Sequence, residues 1–314
     1  MRRVLIDTDP GVDDSMMLQF AFRSPDVRVE ALTTVFGNAD ITTTTRNALV
    51  NCAVAGRRDV SVARGAAKPL KRPELEKYPT MIHGKDGLGD SNWTTPSEEG
   101  AALISTPAPR FIVERVSDFP GEITLLAVGP LTNLALALSL EPSIARVVKE
   151  VVIMGGAATV PGNATPVAEA NIHCDPESAR MVLHAGWPLT MVGLDVTTKI
   201  CMTSGDLEEI YRVGTPATDF IKAISPLYLQ RYRTRYGMDG MYVHDFSALA
   251  YILDASLFAT EKVFVDVETQ GELTTGQTVA DFRNRYGKAP NVQLCLKVDS
   301  SQLIEMYRDT ITSR

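Results

Sequence analysis

Val4-Leu5-Ile6-Asp7-Thr8-Asp9-Pro10-Gly11-Val12-Asp13-Asp14-Ser15 is the stretch on which the reading of this chain turns. A short apolar run ends in four carboxylates packed into the eight residues from Asp7 to Asp14, with Pro10-Gly11 between them. An apolar run that meets Pro-Gly reads as a buried strand leaving the core through a sharp turn. Ser15 to Phe22 is apolar enough to be a helix. The carboxylates therefore lie on a strand-to-helix loop at the carboxyl end of a strand, where open α/β sheets place ligands. Four acids so close repel one another, and without a cation some would hold protons. A divalent ion removes that conflict, and carboxylate oxygens suit hard Ca²⁺ or Mg²⁺. Asp13 and Asp14 alone would read as acids complementing a helix dipole. Asp7, Asp9, Asp13 and Asp14 around one turn favour a metal.

The rest of the 314 residues sets the frame. Hydrophobic residues make up 45% and charged residues 22%, the composition of a globular chain with a sizeable core. A net charge of −7 argues against nucleic acid or an anionic membrane as the main partner. No apolar run approaches a membrane span, and Arg2-Arg3 leads straight into a strand, unlike a signal peptide. Cys52, Cys174, Cys201 and Cys295 lack metal or redox spacing and read as reduced thiols in a cytoplasmic protein.

Strands and helices alternate along the chain. Val27–Phe36, Val60–Ala63, Ile123–Val128, Val151–Met154 and Leu189–Val196 read as strands, with helical spacing between them. That order predicts a mostly parallel sheet with right-handed crossovers, flanked by helices in one domain over 1–314. Strands are also expected near Val263–Val267, Gln277–Asp281 and Val292–Val298, and a closing helix from Ser301. Gly65–Gly100 loses apolar periodicity and reads as a long functional loop. It carries His83-Gly84-Lys85-Asp86-Gly87-Leu88-Gly89-Asp90, with His83 placed either over a pocket or simply exposed. Polar groups recur at strand ends: Asn38, the Gly129-Pro130 turn, Asn163 to Asn171, and His244-Asp245. Asp175 before Pro176 reads as a helix cap. Tyr228, Arg231, Tyr232, Arg233, Arg235 and Tyr236 form a basic, aromatic stripe on one helix. In an acidic chain such a stripe suits packing or stacking on a small ligand better than nucleic acid. No Walker loop, Gly-x-Gly-x-x-Gly or Gly-x-Ser-x-Gly is present, so phosphate cradling and serine acyl transfer lose support and metal-assisted hydrolysis gains it.

Asp7-Thr8-Asp9-Pro10-Gly11-Val12-Asp13-Asp14 resembles the signature of the nucleoside hydrolases, the inosine–uridine preferring family. Gly37-Asn38, Gly129-Pro130-Leu131-Thr132-Asn133, Met154-Gly155-Gly156, Asn163-Ala164-Thr165-Pro166, Glu169-Ala170-Asn171 and His244-Asp245 agree in order and spacing. The resemblance implies a single, Rossmann-like α/β domain, bound Ca²⁺, and hydrolysis of the N-glycosidic bond of ribonucleosides. It implies that Asp9, Asp14, Asp245 and the Val128 carbonyl hold the ion, and Val128 departs from a frequent Thr without loss of the backbone oxygen. It further implies Asp9 as the base that takes a proton from water. Asp13, Asn38, Asn163, Glu169 and Asn171 would hold the ribose over Met154. His244 is the candidate acid for the leaving base, with Tyr228, Tyr232 and His83 beside that base. Uridine, cytidine and inosine are the expected substrates, and a homodimer or homotetramer is expected. Two rival readings are a phosphatase of the haloacid dehalogenase type, suggested by Asp7-Thr8-Asp9, and a non-catalytic Ca²⁺-dependent nucleoside binder. Gly11 stands where the phosphatase motif wants Thr or Val.

Overall fold

Alternation along each strand decides which layer its side chains join. Successive residues of an extended chain point to opposite faces. Val4 and Ile6 enter one apolar cluster, with Leu126, Val152 and Met154; Leu5 enters another, with Leu125, Val151 and Ile153. A sheet buried on both faces follows, as parallel sheets require. The computed structural model describes residues 1–93 and 102–313; residues 94–100 of the loop expected over 65–100 lie outside them.

The strands are β1 (Arg2–Thr8), β2 (Val27–Thr34), β3 (Ser61–Arg64), β4 (Leu103–Ile104), β5 (Ile123–Ala127), β6 (Glu150–Met154) and β7 (Leu189–Val192). After them come β8 (Cys201–Thr203), β9 (Gly240–Tyr242), β10 (Phe258–Val263), β11 (Val265–Val267), β12 (Thr278–Ala280) and β13 (Val292–Val298). Nine of them form one sheet in the order β10-β13-β7-β6-β5-β1-β2-β3-β4. Every pairing in it is parallel except β10 with β13. β1 lies between β2, which follows it, and β5, which comes much later. The direction of winding reverses there, and a crevice opens at such a switch point. The acidic loop leaves β1 at that place.

Two expectations need correction. The strand expected over Leu189–Val196 stops at Val192, and Leu194–Thr197 is a short helix. Gly193 breaks the run: a Cβ there would lie 2.6 Å from the Gly156 carbonyl. The strand expected near Val263–Val267 is two strands in different sheets, β10 at the antiparallel edge and β11 paired with β12. The long loop also contains a helical turn, Thr80–His83.

The first helix, Val12–Arg23, is buried from Val12 to Ala21, so it runs inside its layer rather than on the surface. Phe20 packs against Phe246 at 4.6 Å and Tyr307 at 5.7 Å between ring centroids. Each such aromatic pair is worth about 0.5–1.5 kcal/mol beyond its buried area. The Tyr307 hydroxyl also donates to the Met16 carbonyl at 3.1 Å. The helix Ser300–Thr312 thereby clamps the helix that carries Asp13 and Asp14.

Candidate active site

The acidic loop is wired from within. The Thr8 hydroxyl donates to Asp14 Oδ1 at 2.6 Å, and the Gly11 N–H donates to Asp14 Oδ2 at 3.0 Å. Asn38, in the loop after β2, serves two carboxylates. Its backbone N–H donates to Asp9 Oδ2 at 2.7 Å and its side-chain amide to Asp14 Oδ2 at 2.9 Å. Asp7 stands behind them, taking Thr33 Oγ1 at 2.5 Å and Asn133 Nδ2 at 2.7 Å on one oxygen. Glycines make room: a Cβ at Gly37 or Gly129 would fall 2.1 or 2.6 Å from an Asp9 oxygen.

Three of these groups converge. Asp13, Asp14 and Asp245 each place a carboxylate oxygen within 4.8 Å of the others, all buried. Asp9 is fully buried, and its Oδ1 has no hydrogen-bond partner. Burial raises the Asp9 carboxyl well above its usual range, and the charge on Asp14 adds to this. Burial and then Asp14 push Asp13 up to about 8. Asp245 is raised by burial and then by Asp13, Asp14 and Asp9, and burial also raises Asp14. An orphaned buried oxygen beside an all-oxygen carboxylate cluster fits a hard divalent cation, whose charge would reverse these shifts. Asp13, rather than Asp9, completes the tightest trio.

All the candidate site residues except Asp9 and Asp14 line one cavity of about 240 Å³; those two are fully buried and do not line it. One wall comes from the ends of β5 and β6. Asn171 donates its amide to the Val128 carbonyl at 3.0 Å and the Met154 carbonyl at 3.1 Å. Glu169 caps the helix Ala170–Cys174 and accepts backbone N–H groups from Asn171, Ile172 and Gly156. Asn163 accepts from the Ala170 N–H at 2.9 Å through its oxygen, so its amide hydrogens remain for a ligand.

The opposite wall is aromatic. The Val12 N–H donates to His83 Nδ1 at 3.2 Å, so the ring proton sits on Nε2. His83 is buried, not an exposed loop histidine, and its ring lies 5.4 Å from that of Tyr228. Gly11 seats it, since a Cβ there would lie 2.5 Å from His83 Nδ1. His244 is held through Nδ1 by the Thr197 hydroxyl at 2.8 Å and through Nε2 by the Tyr232 hydroxyl at 3.0 Å. Tyr232 meets Tyr228 at 3.3 Å. Burial pushes His83 down to about 3 and His244 down to about 4, so both rest neutral.

The loop behind His83 is tied to the acidic loop. Asn47 is fully buried and donates its amide to both the Pro10 carbonyl at 2.9 Å and the Asp86 carbonyl at 3.0 Å. Asp86 in turn accepts the N–H groups of Leu88, Asp90 and Asn92. No spacing pattern marks Asn47, because its two partners come from separate loops. Arg231, Arg235 and Tyr236 also line the cavity; their i, i+4 spacing with one another or with Tyr232 was the available signal. Asp175 is the cap expected of it, accepting from Ser178 N at 3.1 Å, and takes no part in the cavity.

Fold and site together define an α/β enzyme whose pocket joins a carboxylate cluster to an aromatic and histidine wall. The family model described as inosine-uridine preferring nucleoside hydrolase matches residues 4–305. A probable uridine nucleosidase 2 of Oryza sativa subsp. japonica is 42% identical over 89% of this chain and 82% of its own. An inosine-uridine preferring nucleoside hydrolase of Crithidia fasciculata is 39% identical over 99% and 97%. The solved plant nucleoside hydrolase PpNRh1 superposes with a TM-score of 0.95 at 35% identity, covering 100% of this chain and 99% of that one. The chain belongs to the inosine-uridine preferring nucleoside hydrolase family and is an N-glycosidase.

Proposed function

We propose that this enzyme hydrolyses uridine, cytidine and inosine to free base and ribose, with Ca²⁺ held by Asp9, Asp14, Asp245 and the Val128 carbonyl. One juxtaposition carries the reading: buried carboxylates at the foot of a cavity and two neutral histidines on its aromatic wall. The whole chain acts as one domain. A bound Ca²⁺ supplies positive charge that acidifies a water and orients the ribose diol.

The chain's own residues then divide the work. Cleavage leaves positive charge on the ribose as the C1′–N pair departs with the base. Asp9 takes a proton from the attacking water, and its bare Oδ1 is the atom that would do so. Asp13, Asn38, Asn163, Glu169 and Asn171 hold ribose hydroxyls, with Met154 beneath the sugar. His244 protonates the leaving base. Its imidazole rests neutral and must first take a proton from solvent; the imidazolium then gives that proton from Nε2 through the Tyr232 hydroxyl, 3.0 Å away, which passes its own to the base, and the ring ends neutral again. His83 presents Nε2–H to the same base.

The four free thiols fit a reducing, cytoplasmic compartment. A time course of free base from uridine, cytidine and inosine tests the reading. Release of base at a rate proportional to enzyme is expected. Saturable nucleoside binding with no base released would make the protein a binder and sink the proposal.

A further inference from the structure

The short helix Leu194–Thr197 does not line the cavity, yet its side chains reach two walls of it. It begins where Gly193 ends β7, and its Leu194 N–H donates to the Gly156 carbonyl at 2.8 Å. The helix is thereby tied to the chain that leaves β6. Asp195 and Thr197 are both buried on it.

Asp195 serves the wall that carries Asn163 and Glu169. Its carboxylate accepts the Ala158 N–H at 2.9 Å, the Thr159 N–H at 2.7 Å and the Thr159 hydroxyl at 2.5 Å. A buried carboxylate is costly unless it is hydrogen-bonded, so these donors are held to it. Ala157 is gripped by Thr278, donating its N–H to Oγ1 at 2.9 Å and accepting the hydroxyl at 2.8 Å. The Gly156 N–H donates to Glu169 Oε2 at 3.0 Å. The segment 156–159 is therefore fixed residue by residue just ahead of Asn163, which lines the cavity.

Thr197 serves the histidine wall. A threonine in a helix often turns its hydroxyl back on the carbonyl four residues earlier. Its neighbour Thr198 does so, donating to the Leu194 carbonyl at 2.7 Å. Thr197 instead sends its hydroxyl across to His244 Nδ1 at 2.8 Å, while the Tyr232 hydroxyl meets Nε2 at 3.0 Å. An imidazole held at one nitrogen can still swing about that contact. Held at both, its Nε2 has one direction.

We infer that Leu194–Thr197 is a brace between the two walls, in which Asp195 is the positioning residue for the segment leading to Asn163 and Thr197 the positioning residue for the His244 ring. This rests on the roles given above to Asn163 at the ribose and His244 at the leaving base. The two assignments separate in kinetics. Ribose is common to every substrate, so a loosened ribose wall raises KM whatever the leaving group. Only a poor leaving group needs a proton, so a loosened His244 ring shows only where protonation matters.

The experiment measures kcat, KM and Tm with uridine, inosine and p-nitrophenyl riboside for wild type, Thr197→Val, Thr197→Ser, Asp195→Asn and Thr159→Val. Thr197→Val should lower kcat/KM about tenfold on uridine and inosine, the weight of one hydrogen bond to a charged group, and leave p-nitrophenyl riboside within about twofold. Thr197→Ser restores the hydroxyl and should restore most of that loss. Thr197→Ala carries the same expectation as valine should the valine variant not fold. Asp195→Asn sets an amide against an N–H and should raise KM about tenfold on all three substrates, leaving the uridine-to-p-nitrophenyl riboside ratio unchanged. Thr159→Val, at an exposed position, should act in the same direction by about threefold and keeps the test open if Asp195→Asn does not fold. An equal loss on all substrates in Thr197→Val, no loss at all, or no rescue by serine would overturn the inference. So would an Asp195 or Thr159 variant with wild-type KM, or one whose loss depends on the leaving group. His244→Ala on the same substrates shows which level has failed. A loss confined to the nucleosides keeps the acid reading and lays any failure on the brace; an equal loss on all three sinks that reading first, and the inference with it.

Discussion

Asp9 has one oxygen fixed by the Asn38 N–H and the other bare and buried. A carboxylate that acts as a base needs such a free lone pair. Asp9→Asn preserves shape and removes basicity, so kcat should fall by about 10³-fold with the far-UV CD spectrum unchanged. Near-normal turnover would remove Asp9 from the role. His244 offers a second test. His244→Ala should lower kcat/KM for uridine and inosine by about 10²-fold or more but spare p-nitrophenyl riboside, whose leaving group needs no proton. Equal losses on both would show that His244 acts by position alone. That these groups share one cavity was largely readable beforehand, because Asp, Asn and His recur at the strand ends that a parallel sheet brings to one face. The unpartnered oxygen itself was not, since it depends on Gly37 and Gly129 closing over Asp9 from other strands.

At the scale of elements, the helix Ile41–Val54 acts as a strut. Asn51 reaches the first helix, donating to Ser15 Oγ at 2.9 Å and accepting from Gln19 Nε2 at 2.9 Å. One turn earlier, Asn47 joins the Pro10 carbonyl to the Asp86 carbonyl. The loop that carries His83 is therefore fastened to the loop that carries the carboxylates. Gly87 allows this, because a Cβ there would lie 2.6 Å from Asn47 Nδ2. Asn47→Leu strands buried acceptors and should cost about 1–3 kcal/mol in chemical denaturation. It should also lower kcat for uridine more than for p-nitrophenyl riboside, as His83 loses its place on the cavity wall. A variant with unchanged stability and unchanged substrate ratios would show the strut to be idle. Sequence periodicity located this helix well but was silent about its buried amides. It also missed β10, whose exposed Ala259-Thr260-Glu261-Lys262 at a sheet edge carries no alternation.

For the whole molecule, the carboxylate cluster links metal, pH and stability. Burial raises Asp7 to about 7 and Asp13 to about 8. A carboxyl with a raised folded pKa binds its proton more tightly in the folded chain, so its contribution is full below about pH 4 and is lost as pH rises through the folded value. The chelated protein should thus lose stability between about pH 4 and 8. On the proposed Ca²⁺ site the ion would compete with those protons, so its increment in Tm should be larger at pH 8 than at pH 6. An increment that does not vary with pH would place the ion away from these carboxylates. The sheet order was legible as a class, because strand and helix alternate; its exact sequence, with β1 between β2 and β5, rests on packing that no local pattern records. That clamp of Tyr307 on Met16 has a consequence for biosynthesis. The ribosome emits the acidic loop first and its clamp 291 residues later, tens of seconds at about 5–20 residues per second. For most of that interval Asp13 and Asp14 lack Asp245, the third member of their cluster, which follows Asp14 by 231 positions (245 − 14). The carboxylate cluster is therefore completed late in synthesis, when Asp245 and the helix Ser300–Thr312 have joined the loop made long before them.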